Sequence, residues 1–339
     1  MLVLGLETSC DDSAAAVLRA GRLQASVVSS QDRVHGPYGG VVPELAAREH
    51  LKNVLLVLDE ALRRAEVSLE EIDGIAVTRG PGLVGSLLVG LSVAKGIALR
   101  HRCPLVGVHH LEGHLLAPNL ERDPDDPVAH PFLGLIVSGG HSGLYLAEAP
   151  GRYACLGKTR DDAVGEAFDK VAKTLGLAYP GGPAIDRLAR DGDPHAIRFP
   201  RARMKGGRFD LSFSGFKTAV WQYVEANPPR DEDLPDIAAS VQEALVDMLV
   251  DATRHAVEVT RVERLVVSGG VSANRRLRER MAELETELGV EVLVPRPAFC
   301  TDNAAMIALA GWSRLAAGED DGLGVDAVSS WPFGTPWEG

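Results

Sequence analysis

The chain has 339 residues, 45% of them apolar and 24% charged, and its 35 basic and 47 acidic side chains leave a formal net charge of −12. That length accommodates two domains with separate cores, and the composition is that of a globular protein. The acidic balance excludes a protein that holds nucleic acid through a global positive field. What remains is a local cluster, Arg198, Arg201, Arg203, Lys205 and Arg208, which reads equally well as a solvated loop. The opening MLVLG carries no basic region, so a cleaved secretory signal is not expected. The longest apolar stretch, 83–94, stops at Lys95 and is too short to span a bilayer. Cys10, Cys103, Cys155 and Cys300 form no CxxC pair, which points to reduced thiols and a cytoplasmic protein with no membrane partner.

In chain order, LGLETSCDDS at 4–13 and the apolar run 14–18 predict a hairpin with a polar tip. An amphipathic helix is expected over about 44–64. A buried strand at 75–80 leads into a small-residue helix over 82–99, and the strand-like 104–108 leads into HLEGH at 110–114. A second hairpin follows at 133–147. Asp161 opens a helix that buries Val164, Phe168, Val171 and Leu175 and ends at Gly176 as C-cap. YPGGPAID at 179–186 is a rigid turn before another helix. Ile237, Val241, Leu245, Met248 and Leu249 mark a long helix over about 236–259. A strand at 265–270 precedes a helix over 272–288, and CTDN at 300–303 precedes a small-residue helix over 304–317.

The two hairpins match in Leu, Gly, Leu, Ser and Ser at the same offsets, and two strand–Gly–helix units follow them in the same order. Two matching pairs make duplication the better reading. The expectation is an α/β fold of two lobes with a central cleft. The first lobe spans 1–130 and the second 131–339, with an insertion at about 151–235 and the last helix, after 302, packing back on the first lobe. Gly-rich turns at strand ends are where such folds bind ligands.

His110 and His114 are four residues apart and share one helix face, so they are able to hold one metal ion between them. Such pairs are also common on surfaces and in cores. In zinc proteases of the H-E-x-x-H type the general base directly follows the first His. Here Glu112 sits two positions on, about 200° around the helix, and faces away; the protease reading fails. A third ligand is open among Asp302, Glu7, Asp11 and Asp12, and Asp302 or Asn303 equally suits the N-cap of the following helix. SGGHS at 138–142 and SGGVSAN at 268–274 are turns whose backbone N–H groups are able to approach phosphate. Neither is a Walker motif. Asp162, Glu166 and Asp169 form one polar helix stripe, either solvated or binding ribose hydroxyls or a metal.

Together these segments closely resemble the tRNA threonylcarbamoyladenosine transferases of the bacterial TsaD group. The matching motifs run from LGLETSCDDS through YGGVVPELAAREH at 38–50, GPGLVGSLLVG at 80–90, HHLEGHLLAP at 109–118 and VSGGHS at 137–142. They continue through DDAVGEAFDKVAKTLGL at 161–177, YPGGP at 179–183, FSGFKT at 213–218, SGGVSANRRLR at 268–278 and CTDNAAMIA at 300–308. The resemblance implies an actin-like fold of the sugar kinase and chaperone superfamily. It implies one divalent metal per subunit on His110, His114 and Asp302, iron(II) ahead of zinc. It further implies that Ile136, Val137, Ser138, Gly139, Gly140, Asp169, Gly182, Asp186 and Asn274 bind the substrate threonylcarbamoyl-AMP. The activity implied is transfer of the threonylcarbamoyl group to N6 of the adenosine beside the anticodon, in tRNAs reading codons that begin with A, with release of AMP. Asp11 is the candidate for positioning or deprotonating the amine. The implied partners are tRNA, a paralogous subunit of the same fold (TsaB-like) and a small ATPase (TsaE-like). The rival readings are a small-molecule kinase of the same superfamily and a non-catalytic nucleotide-binding scaffold. The His pair speaks against both, because phosphoryl transfer on this fold works with magnesium and carboxylates.

Overall fold

The structure, a computed structural model, describes residues 1–202 and 209–337. Arg203, Lys205 and Arg208 of the basic cluster lie outside the described residues. The chain runs through β1 (Leu2–Glu7), β2 (Asp12–Arg19), β3 (Arg22–Ser30), the single turn α1 (Asp32–His35), α2 (Pro43–Ala65), β4 (Gly74–Gly80), α3 (Val84–His101), β5 (Leu105–His109) and α4 (His110–Leu116). Then come β6 (Phe132–Val137), β7 (Ser142–Ala149), β8 (Arg152–Lys158), α5 (Val164–Thr174), α6 (Gly181–Leu188), α7 (Ser214–Ala226), α8 (Leu234–Thr260) and β9 (Arg264–Ser268). Last are α9 (Arg275–Leu288), β10 (Glu291–Leu293), the short α10 (Pro297–Cys300), α11 (Ala304–Ala316) and β11 (Thr335–Pro336). No helix among the described residues is long and apolar enough to cross a membrane.

Two compact units result, Met1–Val128 with Asp302–Phe333 and Ala129–Thr301 with Gly334–Gly339. The sheet of the first has the order β3-β2-β1-β4-β5 and that of the second β10-β9-β6-β7-β8-β11. In the first, β1 pairs antiparallel with β2 and parallel with β4; in the second, β6 pairs antiparallel with β7 and parallel with β9. Strand for strand the orders agree, so the duplication read from the motifs is present in the topology. Among the described strands only β11, parallel to β8, has no counterpart.

In the first unit both faces of the sheet are covered, which is why its strands read as nearly continuous apolar runs. Leu2, Leu4 and Leu6 of β1 pack with Val57 and Leu58 of α2 and Leu91 of α3. Val3, one step out of phase, joins Met306, Ile307 and Ala308 of α11 on the other face. This helix lies close against the strands: a Cβ on Gly311 would stand 2.2 Å from the Ala76 Cβ, and one on Gly5 would stand 2.5 Å from the Ala304 carbonyl. In the second unit Leu133, Leu135 and Val137 of β6 form a core with Phe168 of α5, Leu245 of α8 and Leu277 of α9.

Helix starts differ from the sequence reading by a few residues, and hydrogen bonding explains two of them, one through a tertiary contact and one through a cap. α5 begins at Val164 rather than Asp161, because the Asp161 carboxylate accepts from the Ser212 hydroxyl at 2.6 Å and the Phe213 N–H at 2.8 Å. It thus pins the FSGFKT segment instead of entering the helix. α9 begins at Arg275 rather than 272, after a 3-10 turn, because Asn274 is its N-cap.

Candidate functional site

In the first unit β1, β4 and β5 are parallel neighbours, and their carboxyl ends bring Glu7, Thr78 and the start of α4 together. Every residue of β5 is buried, and the strand passes directly into α4, which carries the histidine pair. His109 is the N-cap of that helix. Its Nδ1 accepts from the Leu111 N–H at 3.2 Å and its Nε2 lies 3.1 Å from the Trp331 carbonyl. Its ring rests against Trp331 and Phe333. Burial pushes its pKa down to about 4 against the bond to Trp331, and with both ring nitrogens engaged it stands outside the His110, His114 and Asp302 group.

His110 and His114 point the other way. Their Nε2 atoms lie 3.4 and 3.1 Å from the same oxygen of Asp302, Oδ1, and the three ligand atoms are all within 4.8 Å of one another. The imidazole rings stand nearly perpendicular, at 87°. Asp302 is available because Asn303 takes over the cap of α11, accepting from the Met306 N–H at 3.0 Å. The open choice between these two residues is thereby resolved, with Asn303 as the cap and Asp302 beside the histidines. Glu112 is not in the cluster.

The electrostatics of this group favour a cation. Burial opposes a charge on His110, yet the carboxylates of Asp302 and Glu7 outweigh it and hold its pKa well above the histidine norm. Burial also opposes charge on Asp302, but His110 and His114 keep it ionised, well below the usual range. Burial lowers the pKa of His114. Around the turn between β1 and β2, burial and the charge of Asp302 raise Asp11, while the Cys10 thiol opposes the shift. Burial, then Asp302 and Asp11, push Asp12 up to about 8. Two imidazoles and a carboxylate converging in a field of further carboxylates fit a divalent transition metal.

Glu7, like Asp12, was left unplaced by sequence reasoning among the possible ligands. It stands behind the trio: its Oε2 is 2.9 Å from His110 Nδ1, with Ser9 Oγ 3.2 Å from the same nitrogen. A carboxylate at the carboxyl end of a buried strand was the available signal, but only the strand order brings it to His110.

The second unit holds the glycine loops. Ile136 and Val137 end β6 with both side chains in the core, leaving Ser138, Gly139 and Gly140 as the turn. The Ser138 N–H donates to the His141 carbonyl at 2.7 Å, and its hydroxyl accepts from the His141 N–H at 3.1 Å. Gly139 and Gly140 have nothing within 4 Å of where a Cβ would sit, whereas a Cβ on Gly165 would collide with Ser138 and Gly139. The loop is therefore packed from behind by α5 and open in front. Asp169 accepts from the Gly181 N–H at 2.7 Å and so ties α5 to the start of α6. A Cβ on Gly182 would meet nothing closer than Phe168 at 4.0 Å. Asp186 pairs with Arg190 at 3.7 Å, and its Oδ1 is buried without a hydrogen-bond partner. The Asn274 amide caps α9 through the Leu277 N–H at 3.0 Å and donates to Gln242 at 2.7 Å. The expected polar stripe is not one helix face: Asp162 lies before α5, where it and Glu166 pair with Lys170 at 3.2 and 2.6 Å, whereas Asp169 does the tying just described.

A family model described as TsaD, tRNA N6-adenosine threonylcarbamoyltransferase, matches residues 22–309. The chain belongs to the TsaD family. Relatives named tRNA N6-adenosine threonylcarbamoyltransferase align with nearly all of it: that of Geobacter metallireducens is 54% identical, covering 99% of this chain and 98% of its own. That of Trichlorobacter lovleyi is also 54% identical, over 98% and 97%. Among solved structures, full-length HypF in its phosphate- and nucleotide-bound form superposes with a TM-score of 0.63 at 12% identity, covering 95% of this chain and 47% of HypF. Component A of the (R)-2-hydroxyglutaryl-CoA dehydratase of Acidaminococcus fermentans gives 0.55 at 16%, over 93% and 99%. At such identities these two speak for the fold alone, and it is the duplicated actin-like α/β fold that this TsaD family member shares with them.

Proposed function

We propose that this chain transfers the threonylcarbamoyl group of threonylcarbamoyl-AMP to N6 of the adenosine adjacent to the anticodon, in tRNAs reading codons that begin with A. The bond formed joins N6 to the carbamoyl carbon; the bond broken joins that carbon to the phosphate oxygen, and AMP leaves while N6 gives up a proton. The observation that carries the reading is the His110–His114–Asp302 trio in a chain of the TsaD family.

The residues take the following roles. Asp11 accepts or orients the N6 proton, a role that suits a carboxylate whose affinity for protons is raised by burial. The open Ser138–Gly139–Gly140 turn offers backbone donors to the adenylate, continuing from the strand end at Ile136 and Val137. Asp169, Gly182 and Asp186 face ribose hydroxyls, where the unpartnered Oδ1 of Asp186 would gain its missing bond. Asn274 holds the first turn of α9 in place. One divalent metal per subunit, iron(II) ahead of zinc, held by His110, His114 and Asp302, would supply Lewis-acid polarisation and a template for the substrate oxygens. The preference for iron rests on the family resemblance, since the donor set suits both metals. An exocyclic amine is a poor nucleophile, so alignment by these residues supplies much of the rate. A TsaB-like paralogue and a TsaE-like ATPase are the partners this reading calls for, again on the resemblance.

The test is mass spectrometry of tRNA nucleosides from cells depleted of the protein. Threonylcarbamoyladenosine should disappear, return with the wild-type gene and stay absent with His110→Ala. Unchanged modification in depleted cells would overturn the proposal.

A further inference from the structure

We infer that Glu7 is a positioning residue that sets the tautomer of His110, so that the imidazole presents the lone pair of Nε2 towards Asp302 and His114. The inference rests on the reading of that trio as a metal centre and adds the group that makes one of its ligands competent.

The hydrogen bonds around Glu7 fix its role. Its side chain is completely buried. Oε1 accepts from the backbone N–H of Ser9, a group with no alternative but to donate. Oε2 accepts from the Thr78 hydroxyl at 2.7 Å, on the neighbouring strand β4. His110 Nδ1 lies 2.9 Å from the same Oε2. Two donors, the Ser9 N–H in the turn after β1 and the Thr78 hydroxyl on β4, hold the carboxyl group still, with both of its oxygens placed as acceptors. Nδ1 is therefore the nitrogen that keeps its proton, and Nε2, 3.4 Å from the Asp302 Oδ1, is the one that faces the other two ligands. A carboxylate behind a ligating histidine fixes both ring orientation and tautomer. Ser9 Oγ, 3.2 Å from Nδ1, is able to turn its own proton away and so does not compete for the role.

The same geometry predicts what an isosteric amide would do. In Glu7→Gln the amide oxygen must remain opposite the Ser9 N–H, because an NH₂ group there would face another donor. The NH₂ then occupies the Oε2 position. Thr78 adapts by accepting, but His110 Nδ1 must also accept, and its proton moves to Nε2, where the metal belongs. A change of one atom, with the shape of the site kept, inverts the ligand.

The experiment titrates the full-length chain with Zn²⁺ in competition with a chromophoric chelator, for the wild type, Glu7→Gln and the ligand control Asp302→Asn. The melting temperature of each metal-free protein is recorded beside it. Glu7→Gln is expected to weaken Zn²⁺ binding by about 10- to 100-fold while its metal-free melting temperature stays close to wild type. Equal affinity in a folded Glu7→Gln protein would overturn the inference and leave the metal reading standing. A wild type that binds Zn²⁺ no better than Asp302→Asn would overturn both. Should Glu7→Gln fail to fold, ¹⁵N NMR of histidine in the Zn²⁺-loaded wild type decides alone: a proton on His110 Nδ1 supports the inference, and coordination through Nδ1 overturns it.

Discussion

Two histidines of the first unit are buried to opposite ends. His110 sits between carboxylates that favour its charge, whereas burial works against a charge on His50. His50 Nε2 is 3.0 Å from the Cys10 carbonyl and its Nδ1 is 2.8 Å from Ser13 Oγ. The chain continues through Gln31 to His35, and so ties the turn before Asp11 to the head of α2. Burial lowers the pKa of His50, against the bond to Cys10. A histidine whose folded pKa is depressed contributes stability that is complete above its unfolded value, about 6.5, and is lost as pH falls below it. The His50 share of stability should thus fall from pH 7.5 to 5.5, against the opposite trend of His110 and Asp12, whose raised pKa values favour the folded state towards acid. In thermal melts His50→Gln should lose roughly 1–3 kcal/mol at pH 7.5 for the broken network and a smaller amount at pH 5.5; a loss that is the same at both pH values would remove His50 as a source of the pH dependence. At this scale the sequence carried part of the site. The spacing of His110 and His114 is local, so it was readable, and so was the CTDN corner. The Glu7–His110 contact spans 103 positions and exists only because β1, β4 and β5 lie in that order, which no local pattern encodes.

Among the elements, helix identity was legible from periodicity and helix beginnings were not. Asp161 looks like a first-turn acid, yet it is engaged 52 residues away with Phe213; capping competes with tertiary hydrogen bonding, and here the latter won. The small residues of α11 were equally visible, while the reason for them is a seam. Ala304, Ala308 and Gly311 face Gly5 and Ala76, and the helix lies on the sheet with no room for a further methyl. Gly311→Ala should therefore destabilise by roughly 1–3 kcal/mol through overpacking, in spite of the better helix propensity of alanine. Gly96 in α3 is the control, because it is exposed and nothing lies within 4 Å of its absent Cβ. Gly96→Ala should stabilise by about 0.4–1 kcal/mol. Chemical denaturation of the two variants checks the seam: if both shifted the same way, propensity and not packing would govern α11.

For the whole molecule, the repeat was readable because each copy carries its own hairpin and glycine turn, and the matching strand orders follow from it. Charge is the other property at this scale, and it constrains how an enzyme of this family meets its substrate. A polyanion approaching a chain of net charge −12 meets repulsion beyond the few ångströms where individual arginines act. The described part of the basic cluster is partly spent already: Arg201 is 2.7 Å from Asp247, and Arg198 is exposed. Few phosphates are then neutralised, and since each released counterion contributes to both affinity and its salt dependence, both should be small. Fluorescence anisotropy of a labelled tRNA with the chain alone should give a dissociation constant no tighter than about 10⁻⁶ M at physiological salt, the range of non-specific binding. Tight binding by the isolated chain with a steep salt slope would mean that a concentrated basic surface outweighs the net charge. Weak binding with a shallow slope would mean that the net charge governs and that this chain alone does not capture tRNA, its own work being the local one of placing one amine against one carbonyl carbon.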